Sequence, residues 1–190
     1  MTPHSINAQP SLSGEDNKED SDPVLSWEDV KKIIESGRLE LFKRKKADIL
    51  KYRAWKAEVA KEYDSPDNYI RKVILKWDND EISTSKYFTY DPSNKSDHLL
   101  RLNDFPYTRI DPSITHYVLW SKFPFDPNSS EEIERFSEAT FNSDIDNVEG
   151  NTNGVKKKEW LFFINPSTLQ SIKSVTHAHI LVRDAVDSEP

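Results

Sequence analysis

Five consecutive apolar residues, Trp160-Leu161-Phe162-Phe163-Ile164, constrain the fold more than any other stretch of the chain. A strand with one face in water alternates apolar and polar side chains, whereas one that is apolar on both faces must be covered on both. Asn165-Pro166 ends the run, because proline cannot donate to a ladder. The expectation is a central strand between two packing layers. Residues 175–183 supply a second strand, in which Ala178, Ile180 and Val182 alternate with His177, His179 and Leu181. A short helical connection over residues 167–174, with Leu169 and Ile172 facing inward, joins the two.

The first half has a different periodicity. Ser26-Trp27-Glu28-Asp29 is a capping-box-like start, with Asp29 in place of the usual Glu or Gln, for a helix through Val30, Ile33 and Ile34 that stops at Gly37. Tyr52, Trp55, Val59 and Tyr63 form one stripe of a helix over residues 47–63. Ser65-Pro66 opens a third, whose stripe is Ile70, Val73, Ile74 and Trp77. Residues 79–95 are turn-rich around Tyr87-Phe88-Thr89-Tyr90, a short strand or ordered loop. Residues 115–123 read as a strand and residues 130–141 as a short helix. Helices lead and strands follow, which predicts an α+β fold: N-terminal helices packed on a mainly antiparallel sheet formed by the C-terminal half.

The organisation that follows is a disordered tail over residues 1–24, one α+β domain over residues 25–183 with a mobile Gly/Asn/Asp/Lys loop at 142–158, and a polar tail over 184–190. Cysteine is absent, which removes disulfides, thiolate nucleophiles and cysteine-ligated metals. A net charge of −7 disfavours nucleic acid and anionic membrane as partners. With no signal-like or membrane-spanning run, the expected location is the cytoplasm. The basic run Lys43-Arg44-Lys45-Lys46 looks like a nuclear-import patch but reads first as a solvated face.

Chemistry concentrates at three places. His177 and His179 share one face of the last strand, with Cα atoms about 6.7 Å apart, and Arg183 lies on the same face. His116 shares a face with Val118 and Trp120, so pairing of the two strands would bring three imidazoles together. No His-motif carboxylate accompanies them, and no metal is expected. The turn Asn103-Asp104-Phe105-Pro106-Tyr107 offers Asn103 for a hydroxyl or phosphate and Asp104 as a base, or else simply caps itself. Asn165 is a strand terminator or a pocket rim. With four glycines, a glycine-built phosphate cradle is improbable, and no cofactor is expected.

Taken together and in this order, the Trp27 helix, residues 69–77, the Asn103–Tyr107 turn, His116-Tyr117-Val118-Leu119-Trp120, and the two last strands resemble the fungal N-acetylglucosamine-induced protein family. The resemblance implies a cytoplasmic protein induced by N-acetylglucosamine with a role in the metabolism of that sugar, and an amino sugar or nucleotide sugar as ligand. It carries over no catalytic residues, because the family is built on a domain of unknown function. A shorter likeness links His177-Ala178-His179-Ile180-Leu181 to the histidine-triad nucleotide hydrolases, with Leu181 where the third histidine would stand. Binding or regulation is therefore the first expectation, and a His-dependent phosphoester or nucleotide-sugar hydrolase the alternative.

Overall fold

The computed structural model describes residues 23–77, 82, 84–142 and 156–186. The tail over residues 1–22, most of the expected loop (residues 143–155) and residues 187–190 lie outside them. Among the described residues four α-helices, α1 (Trp27–Glu35), α2 (Lys46–Tyr63), α3 (Pro66–Tyr69) and α4 (Glu131–Phe141), accompany four strands, β1 (His98–Leu102), β2 (Thr115–Ser121), β3 (Lys158–Phe163) and β4 (Thr176–Asp184). The strands form one antiparallel sheet in the order β1-β2-β4-β3. The α+β expectation holds.

Local chemistry accounts for the helix ends. Ser26 Oγ accepts from Asp29 N at 3.2 Å while the Asp29 carboxylate accepts from Ser26 N at 3.0 Å, so the Asp variant closes a full capping box. Gly37, just past α1, has φ +68°, a conformation that a side chain resists. Ser65 Oγ accepts from Asn68 N, with Pro66 at the first position of α3.

Three expectations change. Trp160–Phe163 belongs to an edge strand, because β3 pairs with β4 alone. Its two apolar faces are explained by cover from Trp27 and Phe42 on one side and α4 on the other, not by strand neighbours. Beyond Tyr69 the backbone becomes a π-helix over Ile70–Leu75, ending at Lys76 with φ +57°. Hydrogen bonds in a π-helix span five residues. Leu75 therefore turns inward with Ile70, while Val73 is 38% exposed. Residues 167–174 form turns without a helix, with Ile172 buried and Leu169 41% exposed.

The sheet has two unlike faces. Leu119, Ala178, Ile180 and Val182 pack with Phe88, Phe125, Ile133 and Phe136 in an apolar core under α4. The other face is divided. Leu181 and Phe163 meet α1, Phe42 and Tyr107, while Val118 and Trp120 meet the π-helix, Trp77 and Ile172. Histidines occupy the seam between these two cores. Among the described residues no helix is long and apolar enough to cross a membrane.

Candidate functional site

The register of β2 and β4 places Val118 opposite His179 and Trp120 opposite His177, so alternation puts His116, Trp120, His177 and His179 on one face. His116 Nε2 lies 2.9 Å from His179 Nδ1, and the rings of His177 and His179 meet edge to face at 5.6 Å. The anticipated convergence of three imidazoles is therefore present. Leu181, at the position of the missing third strand histidine, is fully buried beneath α1.

Asn103 Oδ1 accepts from Phe105 N at 2.9 Å, which turns its Nδ2 toward His116 Nε2 at 3.2 Å. His116 Nε2 and His179 Nδ1 share one proton across their contact. Asn165 Nδ2 lies 3.0 Å from His179 Nε2, and the same amide nitrogen donates to Tyr107 Oη at 3.2 Å. His116 Nδ1 accepts from the backbone N–H of Tyr107 at 3.4 Å. His177 is set separately: Nδ1–H donates to Val175 O at 2.9 Å, so Nε2 carries an unused lone pair.

All three rings are neutral at physiological pH. Burial, then the charge of Arg44, pushes His116 down to about 3. Burial holds His179 well below the usual imidazole range, with His116, His177 and Arg44 acting in the same direction. His177 is lowered by burial against the opposing pull of the Val175 carbonyl and Asp67.

His177, His179 and Trp120 line a cleft of about 80 Å³, well below the roughly 300–1,000 Å³ of a site that engulfs a drug-sized ligand. Tyr52, Trp55 and Phe105, packed together at ring separations of 4.9–5.7 Å, build one wall, and Ile70 and Ile74 of the π-helix build another. The Asn103–Phe105 turn is held there by Arg44, whose Nε and Nη2 both donate to Phe105 O at 2.9 and 2.7 Å between the rings of Tyr52 and Tyr107. Trp120 Nε1 and Asn165 Oδ1 are buried without a partner.

The candidate residues divide accordingly. Asn103, His177 and His179 line the cleft, with His116 and Asn165 bonded behind His179. Asp104 also lines it, but its carboxylate is taken by Arg101 at 3.1 and 3.2 Å. Arg183 lies elsewhere, donating to Glu159 and stacked over Trp27. Among the described residues no carboxylate pairs with the three imidazoles, and no group of three or more His, Asp or Glu is disposed to hold a metal. Sequence reasoning missed the roles of Trp120 and Arg44. The signal for Trp120 was its position on the His116 face; Arg44 was hidden inside a basic run.

A family profile described as "Protein of unknown function (DUF3605)" matches residues 26–183. The chain is 27% identical to N-acetylglucosamine-induced protein 1 of Candida albicans, over 94% of this chain and 76% of that protein. It is 30% identical to the uncharacterized protein YPL067C of Saccharomyces cerevisiae, over 82% of this chain and 77% of that one. A solved structure titled "Crystal Structure of HTC1" superposes with a TM-score of 0.54 at 25% identity, covering 84% of this chain and 85% of the other.

Proposed function

This chain belongs to the DUF3605 family, and on that premise we propose that it is a cytoplasmic, N-acetylglucosamine-induced protein that serves amino-sugar metabolism by binding a small ligand in the His177 cleft. The observation that carries the reading is the floor of that cleft: neutral imidazoles whose nitrogens are committed to one another and to amides, save one free ring nitrogen on His177. Fixed, preoriented polar groups in an aromatic-walled recess suit recognition. The name of the Candida relative supports the choice of ligand chemistry.

Hydrolysis at the same place is less well supported. A general base needs an orienting partner and a reachable nucleophile. Here Asp104, the candidate carboxylate that lines the cleft, is engaged by Arg101, and among the described residues none of the three cleft imidazoles is hydrogen-bonded to a carboxylate. Isothermal titration with N-acetylglucosamine, its phosphates and UDP-N-acetylglucosamine tests the reading. Saturable heat with at least one of them is expected, and silence with all of them would sink it.

A further inference from the structure

Unused hydrogen-bonding capacity in the cleft has a definite pattern. Trp120 is 7% exposed, and its indole N–H, a group that can only donate, has no acceptor. Directly opposite on β4, His177 is 6% exposed, and its Nε2 can only accept once Nδ1–H is committed to Val175 O. The two ring centroids lie 4.8 Å apart. One oxygen about 2.8 Å from each nitrogen, accepting and donating at a near-tetrahedral angle, bridges nitrogens about 4.6 Å apart. A hydroxyl is the group that accepts from one side and donates to the other.

Charge narrows the class further. The three imidazoles are uncharged, Arg101 is neutralised by Asp104, and Arg44 has its fork on Phe105 O and its faces against two tyrosines. A phosphate or carboxylate entering here would meet the His177 lone pair and exchange its hydration for neutral donors, a costly trade. The ring wall of Tyr52, Trp55 and Phe105 offers an apolar surface suited to the C–H face of a pyranose. The small free volume admits one ring edge rather than a nucleotide.

We infer that the cleft recognises an uncharged, hydroxyl-bearing ligand of monosaccharide size, one hydroxyl of which accepts from Trp120 Nε1–H and donates to His177 Nε2. This rests on the binding reading above and adds the class of ligand and the residues that grip it.

The test is a ¹H–¹⁵N correlation spectrum, in which the chain's five tryptophan indoles each give a signal. A Trp120→Phe variant identifies the Trp120 resonance. Titrating the wild-type chain with N-acetylglucosamine should move that resonance saturably, and N-acetylglucosamine 6-phosphate should bind at least about tenfold more weakly. Equal or tighter binding of the phosphate, or of UDP-N-acetylglucosamine, overturns the inference while leaving the binding reading intact. Binding of the neutral sugar with the Trp120 indole unmoved overturns the assigned grip. Failure of all three compounds to bind removes both readings together.

Discussion

An imidazole buried without a carboxylate partner stays neutral well below the pH at which a solvated one gains its proton. His116, His177 and His179 are all in that position, and half-buried His98 is lowered by the same cause. Their protonation costs are paid on the native side only, so the unfolded chain binds more protons once pH falls below its ordinary histidine value of 6.5. The stability these rings contribute is complete above that value and is lost progressively toward the folded value of about 3 for His116. Each contributes a slope of up to about 1.4 kcal/mol per pH unit. Urea unfolding should therefore show a constant free energy down to about pH 7 and a steep fall by about pH 5, before the carboxylates titrate. A His177→Asn variant should flatten that fall by one histidine's share. Unchanged stability across this range would show that the rings are not held neutral. The three histidines were legible in the sequence because strand alternation fixes which side chains share a face. Arg44 was not, since a charge run gives no sign that one of its members will fork onto the Phe105 carbonyl 61 residues away.

Single elements position these residues through contacts that periodicity does not encode. Asp67 Oδ1 accepts from the backbone N–H of both Lys173 and Ser174 at 2.8 Å, tying α3 to the turns that bring Ser171 and Ile172 to the cleft. With the partners 106 and 107 positions apart, nothing in the local sequence announces the pair. Asp67→Ala should leave two N–H groups without their acceptor, cost about 1–3 kcal/mol, and weaken ligand binding through a loosened rim. Calorimetry with the neutral sugar reads the second effect, and undiminished affinity would limit Asp67 to stability alone. The π-helix was read as an α-helix because Ile70, Val73, Ile74 and Trp77 fit the α spacing. What distinguishes it is its end. Lys76 adopts the left-handed conformation at φ +57°, where a Cβ is unfavourable. Lys76→Gly should therefore raise the urea midpoint, by about 0.5–1 kcal/mol in free energy. A lower midpoint would mean that the side chain stabilises the turn by more than its strain.

At the scale of the molecule, the sheet separates what holds the fold from what the cleft does. Alternation in β4 told the two faces apart from sequence, but the strand order did not follow from it. The apolar run in β3 suggested a central strand, whereas the layers around an edge strand are what cover it. The face under α4 is filled by side chains such as Ile180, which has no solvent exposure and packs in a closed apolar cluster. Ile180→Ala should cost about 2–5 kcal/mol, since truncation there leaves a cavity that rigid strands fill poorly. Because its side chain points away from the cleft, affinity for the neutral sugar should stay within about twofold at temperatures where the variant is folded. Trp120→Phe should behave oppositely: it keeps an aromatic ring in the seam, removes an indole N–H with no partner in the protein, and lowers affinity about tenfold with little change in stability. Unfolding free energies and titrations of both variants, measured side by side, test this separation. If Ile180→Ala weakened binding as much as Trp120→Phe did, the two faces would be mechanically coupled. The cleft would then depend on the whole sheet rather than on the seam between the two cores that meet above His177 and His179.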